Sequence, residues 1–243
     1  MYFDAHCHLH EFSEGEVKDF KDFVIVAVSD DLESSIKTIE LAKRYLNVLP
    51  CVGIHPWVVG ETPLSHINEV EKLISRYEVK GIGEVGLDRR FVPQTFSKQL
   101  KFFEKFVKLS VDYGLPINIH AVDAWFDVHE MLLRFDVERA LLHWYTGPLN
   151  LLEELASKGY YVSINPAALF QKKHMKVAVE VSLGHVLVES DGPYEYKGLK
   201  LTPKLIPQLL EVIAKAREIR GERLESAIET NFKALFNIRF LYG

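Results

Sequence analysis

Short apolar runs recur along the whole chain, and most are separated by segments of helical period. The runs are Tyr2 to His8, Phe23 to Ser29, Val48 to His55, Lys80 to Gly86, Leu115 to Ala121, Ala140 to Trp144, Gly159 to Asn165 and His185 to Asp191. Several, such as Phe23-Val24-Ile25-Val26-Ala27-Val28, are apolar at every position. A strand with one wet face alternates apolar and polar residues. A continuous apolar run belongs to a strand covered on both faces, as parallel strands between helices are. In the intervening segments the 3.6-residue period takes over. Phe96, Leu100, Phe103 and Val107 form one stripe, opened by Pro93, and Leu224, Ile228, Phe232 and Leu235 form another. The first connection, Leu9 to Asp22, is short for a full helix. Eight strands alternating with helices predict an α/β chain folded as a TIM (β/α)8 barrel, a single domain over residues 1–243. A doubly wound open sheet is the alternative.

Composition narrows the function classes. The chain is 48% hydrophobic and 26% charged, which excludes a disordered or collagen-like protein. Its 29 Lys and Arg against 34 Asp and Glu give a net charge of −5, so bulk electrostatics would not hold a nucleic acid. Phosphate binding would need local charge. Two cysteines, Cys7 and Cys51, do not make a secreted disulfide framework. The start, Met1-Tyr2-Phe3-Asp4-Ala5-His6, lacks a basic and apolar leader, and no apolar run reaches a membrane span. A cytoplasmic protein with no membrane contact and no obligatory protein partner is the expectation.

The polar residues inside the apolar runs gather near their C-terminal ends. They are His6 and His8 in the first run, Glu84 in the fourth, His120 in the fifth, His143 in the sixth and Asp191 in the eighth. In a barrel those ends meet at one mouth, where active sites are built. His6 and His8 are two apart and share a side of their strand, which turns Cys7 away into packing. Asp4 and Glu189 have the same parity one layer deeper, and a carboxylate beneath a ligating imidazole fixes its tautomer. A single strand-end histidine is usually a hydrogen-bonded rim residue. Four histidines and two carboxylates together would be costly to bury without a cation, and as a set they predict a metal site.

These residues lie in stretches that resemble the TatD family of metal-dependent deoxyribonucleases, within the amidohydrolase-like TIM barrels. The stretches are Phe3-Asp4-Ala5-His6-Cys7-His8-Leu9, Gly53-Ile54-His55-Pro56, Gly83-Glu84-Val85-Gly86-Leu87-Asp88, Gln99-Leu100 and Leu115-Pro116-Ile117-Asn118-Ile119-His120. They continue with Leu142-His143-Trp144-Tyr145-Thr146-Gly147, Val188-Glu189-Ser190-Asp191-Gly192-Pro193 and Asn231-Phe232-Lys233-Ala234-Leu235-Phe236. The resemblance implies two divalent metal ions. His6, His8, Glu84 and Asp191 would hold the first; Glu84, His120 and His143 the second, with Glu84 bridging. It implies a substrate contact at His55. Three positions depart from the family pattern: Val122 stands where an Arg is usual, His10 where an Asp is usual, and in the stretch Tyr194 to Pro203 only Pro203 fits clearly.

What such a site does follows from its donors. Imidazoles favour Zn or Mn, whereas Mg, which the family is described as using, prefers oxygen. Zn, Mn or Mg are therefore the candidate ions. Two dications against ionised Glu84 and Asp191 and one bridging hydroxide leave a charge of about +1, suited to an anionic phosphodiester. Glu84 and Asp191 are the catalytic candidates, with Asp191 activating the water. Arg89 and Arg90 are candidate phosphate contacts, although a solvated loop pair is an equal reading. Trp57, Trp125 and Trp144 follow strand ends, where an aromatic packs or stacks a base. Lys172-Lys173 reads as an exposed charged turn, His10 as an outer-shell group, and His66, His129, His174 and His185 as surface or capping residues. The expected reaction is two-metal hydrolysis of DNA or another phosphodiester, with a metal-bound hydroxide as nucleophile. The alternatives are hydrolysis of a C–N or lactone bond of a small molecule, and a barrel that only binds.

Overall fold

In β2 (Phe23–Ala27), every residue is buried, which is what a strand without a wet face demands. The same holds for β3 (Val48–Val52) and β4 (Gly81–Asp88). The remaining staves are β1 (Tyr2–Cys7), β5 (Ile117–Val122), β6 (Ala140–Leu142), β7 (Tyr161–Ile164) and β8 (Val186–Val188). A computed structural model describes residues 1–238 and places these eight strands side by side in chain order, each parallel to the next. The last meets the first at the rim. Asp191 N–H donates to His6 O at 2.9 Å, and His8 N–H donates to Gly192 O at 2.8 Å. The sheet therefore closes as the predicted barrel, and the open doubly wound sheet is excluded.

Helices cover the outside: α1 (Glu14–Asp19), α2 (Leu32–Arg44), α3 (His66–Arg76), α4 (Phe96–Tyr113), α5 (Trp125–Arg134), α6 (Leu151–Ser157), α7 (Lys172–Glu180), α8 (Ile206–Ala216) and α9 (Gly221–Phe236). The short first connection folds as a 3-10 turn over Leu9–Glu11 and a helix of 6 residues. Its ends are secured locally. Ser13 accepts from the Glu16 N–H while the Glu16 carboxylate accepts from the Ser13 N–H, a reciprocal cap worth about 1 kcal/mol. In α4 the buried stripe is Phe102, Phe103, Phe106 and Val107, with Phe96 and Leu100 at its edge. In α9 all four predicted positions are buried, and Phe232 packs on Phe3 of β1 with ring centroids 5.0 Å apart. Asn231 Nδ2 donates to Leu183 O and Val186 O, tying α9 to the start of β8.

Two features differ from the expected element pattern. Lys172 and Lys173 are exposed, but they open α7 rather than form a turn. The loop after β8 carries a hairpin, β9 (Glu195–Tyr196) and β10 (Leu199–Lys200). Lys197 and Gly198 turn it with φ of 52° and 82°, the positive pair a two-residue hairpin turn needs. No helix among the described residues is long and apolar enough to cross a membrane. Cys7 and Cys51 are buried free thiols.

Candidate metal centre

Glu84 is the hub of the barrel mouth. Its backbone is fixed by a cross-link from the end of β2: Ser29 N–H donates to Gly83 O at 3.1 Å, and Glu84 N–H donates to Ser29 O at 2.8 Å. Glycines on either side let β4 press against β5. A Cβ on Gly83 would stand 2.7 Å from Asn118 Cβ, and one on Gly86 only 2.0 Å from His120 O. Asp191, beyond β8, holds a φ of 54°, and Trp144, just after His143, one of 39°. A non-glycine residue in that region costs about 1 kcal/mol or more, a cost typical of side chains aimed by function.

The two oxygens of Glu84 face two sets of donors. Oε2 lies 3.3 Å from His6 Nε2 and 3.2 Å from His8 Nε2. Asp191 Oδ1 is 3.4 and 3.5 Å from the same nitrogens, which are 3.3 Å from each other. Oε1 lies 2.9 Å from His120 Nδ1, 2.8 Å from His143 Nε2 and 3.2 Å from His55 Nε2. His120 Nδ1 is 3.3 Å from each of the other two nitrogens. Donors held at about 2.0–2.1 Å from one cation in a tetrahedral array are about 3.3–3.4 Å apart, so the first set has the spacing of a single ion's ligands.

The electrostatics ask for the same thing. Glu84 Oε2 is buried without a hydrogen-bond partner. Burial works to lower the pKa of His6 and to raise that of Glu84. Neighbouring charge overrides burial in both: Glu84 and Asp191 leave His6 well above the ordinary value, and the surrounding imidazoles, His55 and His143 before His6, leave Glu84 well below it. Burial likewise opposes Asp191, yet His6 and His8 hold its carboxyl below the usual range. Against burial, Asp88 and Glu84 push His120 up to about 9. A pocket that draws protons onto its imidazoles is a pocket short of positive charge, and these donors fit divalent ions.

The group behind each imidazole sets His55 apart from the other four. His6 Nδ1 lies 2.8 Å from Asn118 Oδ1, and that amide is oriented by Nδ2 donating to Ala5 O at 2.9 Å. His8 Nδ1 is 3.2 Å from Asp30 Oδ1, and His120 Nε2 is 3.0 Å from Asp88 Oδ2. His143 Nδ1 faces Glu189 Oε1 at 3.6 Å, beyond hydrogen-bond reach, and neither atom has a hydrogen-bond partner. An acceptor on the far nitrogen keeps the proton there and leaves a lone pair on the near one, as a metal ligand requires. His55 is the reverse. Its Nδ1 accepts from Trp57 N–H at 3.2 Å, so in the neutral ring Nε2 carries the hydrogen and points a donor, not a lone pair, into the site. Burial and the neighbouring His120 keep His55 neutral despite the opposing pull of Glu84, with its pKa below the ordinary value.

Six predicted ligands thus meet at the mouth, with His55 beside them as a hydrogen-bond donor. The arginines fare differently. Arg89 makes a two-point pair with Asp127 and lies 3.9 Å over the Phe96 ring, outside the cleft. Arg90 lines the cleft, but Asp123 takes its fork at 2.7 and 2.8 Å. Asp4 has the predicted parity yet touches no imidazole; its Oδ1 accepts from the N–H of Ser190 at 2.9 Å and of His6 at 3.2 Å, so it clamps the β1–β8 seam instead. His10 is an outer group as expected, 3.2 Å from Asp30. His129 is buried and His174 lines the cleft, so neither is a surface residue. Three supporting residues had no role in the sequence reading: Asn118 and Asp88, which stand in its family-like stretches, and Asp30. Asn118 stands two before His120 on one strand, and the parity that marked Asp4 marks it too. The mouth opens into a cleft of about 420 Å³ walled by Trp57, Phe91, Trp144, Tyr194 and Tyr196.

The chain is similar to known proteins over nearly its whole length. The family model described as TatD related DNase matches residues 3–237. An uncharacterized metal-dependent hydrolase of Methanocaldococcus jannaschii is 29% identical over 249 residues, covering 98% of each chain. Another from Haemophilus influenzae is 28% identical, covering 93% of this chain and 94% of the relative. The crystal structure of a TatD homologue from Escherichia coli superposes with a TM-score of 0.89 at 22% identity, over 98% of both chains.

Proposed function

Since the chain belongs to the family of TatD-related DNases and is a metal-dependent hydrolase, we propose that it hydrolyses phosphodiester bonds of DNA with two divalent ions. His6, His8, Glu84 and Asp191 would hold one ion, and Glu84, His120 and His143 the other. The observation that carries this reading is the acceptor bonded behind His6 and behind His120, Asn118 and Asp88, which leaves each ring a lone pair on the nitrogen that faces Glu84, with the Asp30 carboxylate standing behind His8. When bound, such ions activate water and stabilise the attacking and leaving oxygens.

The chain's own groups supply the rest. Asp191 is ionised, 6% exposed and on the cleft wall, where it takes a proton from an attacking water. Glu84 stays anionic between the two donor sets and fixes their spacing. His55 donates its Nε2 hydrogen to an oxygen of the bound phosphate, and Trp57 holds the ring in that tautomer. Asp88 accepts from Trp57 Nε1 at 2.6 Å while it braces His120, so the cleft wall and a ligand share one support.

A second reading, hydrolysis of a C–N or lactone bond, is favoured by one observation. Val122 lines the cleft where an Arg would hold phosphate, and Arg90 is committed to Asp123. The experiment is a digest of single- and double-stranded oligonucleotides, run beside cyclic amides and lactones, with Mn, Mg or Zn restored to chelated protein. Metal-dependent strand cleavage is expected. Turnover of the amides or lactones alone would overturn the nuclease reading.

A further inference from the structure

A third group of donors stands at the rim of the cleft, outside the two sets around Glu84. It is built on His10, one of the positions that depart from the family pattern. The His10 side chain is only 8% exposed and lies against the end of β2. Its Nδ1 is 3.3 Å from Val28 O, and a carbonyl oxygen only accepts, so that nitrogen carries a hydrogen. Its Nε2 is 3.2 Å from Asp30 Oδ2 and 4.0 Å from Glu11 Oε1. In the neutral ring, a lone pair on Nε2 therefore faces two carboxylates. Three acceptors so placed repel one another unless a cation stands among them, either a second proton on the ring or a metal ion. Asp30 is fixed by its own peptide groups: its N–H donates to Ser34 Oγ at 2.9 Å, and its carbonyl accepts from His55 N–H at 2.8 Å. Asp30 Oδ1 is turned to His8 Nδ1 at 3.2 Å, which leaves Oδ2 to face His10.

We propose that His10 Nε2, Asp30 Oδ2 and the Glu11 carboxylate form a third site for a divalent ion, separate from the two donor sets around Glu84. The spacing of His10 and Asp30 is close to that of two ligands held about 2.0–2.2 Å from one cation. The Glu11 side chain is 53% exposed on the cleft wall, where it can close on an ion. A second proton on His10 would balance one of the two carboxylates and leave the other facing a filled ring. A dication balances both and uses all three lone pairs. One imidazole with carboxylate oxygens suits Mn or Zn. With three protein donors, one of them exposed, the site holds its ion more weakly than the buried sets do and gives it up on dialysis. Asp30 and Glu11 both line the cleft, where their negative charges oppose an anionic substrate. Val122 supplies no positive charge there, and Arg90 is committed to Asp123. The third ion cancels that repulsion, so free metal controls how well the cleft accepts an anion.

The test titrates chelated protein with Mn, following the free ion by electron paramagnetic resonance. The parent should fill its tight sites first and then bind one more ion at higher Mn. His10→Gln keeps an N–H donor toward Asp30 but is a far poorer ligand than imidazole, so it should lose that last ion and keep the tight ones. Glu11→Gln changes an exposed side chain, which does not threaten the fold, and should weaken the last ion alone. The nitrogen-15 resonance of His10 Nε2 in the parent should move when the same ion is supplied as Zn. Titration curves that coincide for the parent and both variants, with a His10 resonance that stays that of a doubly protonated ring, would overturn the site and leave a proton between His10 and Asp30. The ion count does not rest on the nuclease reading, because the parent and His10→Gln differ by one ion whatever the set around Glu84 holds. KM for bis(4-nitrophenyl) phosphate should fall as the last ion binds to the parent and stay level in His10→Gln. A third ion bound without turnover of any phosphodiester would overturn the nuclease reading and leave the site standing.

Discussion

Asn118 braces the candidate ligand His6 from behind: its Oδ1 lies 2.8 Å from His6 Nδ1, and its Nδ2 is spent on Ala5 O. The amide cannot turn over without breaking that second bond, so the imidazole faces an acceptor and its Nε2 lone pair is directed at Glu84 and Asp191. Asn118→Ala removes the acceptor and leaves both tautomers open. Affinity for the first ion should fall by about 10–100-fold, the usual cost of losing such a partner. Asn118→Asp, which keeps an acceptor, should retain most of it. Calorimetric titration of chelated protein checks this, and equal affinity in Asn118→Ala would show that the amide does not set the tautomer.

Asp191→Asn preserves shape and removes the proton acceptor. Turnover should drop by about 10²–10⁴-fold, the range general-base groups contribute. The circular dichroism spectrum of the metal-free variant should keep the parent's form, because Asp191 joins the barrel seam through its backbone N–H, which the substitution keeps. Normal turnover would remove this residue from the chemistry.

The barrel was legible because its staves are buried on both faces, which writes them as unbroken apolar runs; β2 shows this in full. The cluster at the mouth was legible because a charge among such runs needs a reason, and Glu84 within β4 has only its oxygens' partners to supply one. What the residues alone did not reveal is direction. Asp4 and Asn118 both have the parity of a residue beneath an imidazole, yet Asp4 turns to two peptide N–H groups and Asn118 to a ring. Parity says which side of a strand a group leaves, and packing across the barrel then decides what it meets. Arg89 and Arg90 were ambiguous for a like reason. Asp123 and Asp127, which take their guanidinium forks, lie more than thirty residues away in sequence. The β9–β10 hairpin has strands of 2 residues each, too short for a period-2 signal, although Lys197-Gly198 marks its turn.

His55 and His143 make a paired test of the tautomer rule. Both have Nε2 about 3 Å from Glu84 Oε1, at 3.2 and 2.8 Å. Behind His55 stands a donor, the Trp57 N–H, whereas behind His143 stands the Glu189 carboxylate, 3.6 Å off. His143→Ala should lower the bound metal from about two ions per chain to about one. His55→Ala should leave the count unchanged while kcat/KM falls. Elemental analysis of dialysed protein reads the count directly. Loss of an ion from His55→Ala would make His55 a ligand and overturn the assignment of its hydrogen to Nε2.

The proton balance of the metal-free protein sets its pH behaviour. In metal-free protein the His120 pKa is raised to about 9, because Asp88 and Glu84 outweigh burial, and those of His6 and His8 are raised as well. A group whose folded pKa lies above its unfolded value of about 6.5 stabilises the fold fully below that value, and the contribution fades as pH rises through the folded pKa. The metal-free protein should therefore melt at a lower temperature at pH 9.5 than at pH 6.5. Metal-loaded protein should not follow, since an ion replaces those protons and needs the rings neutral. Uptake of Zn or Mn at pH 7 should release protons, more than the same uptake at pH 10. Scanning calorimetry across that range and titrations in two buffers of different ionisation enthalpy measure both. A metal-free melting temperature that climbs from pH 6.5 to 9.5, or uptake at pH 7 without proton release, would mean the imidazoles are already neutral and the centre is not short of positive charge.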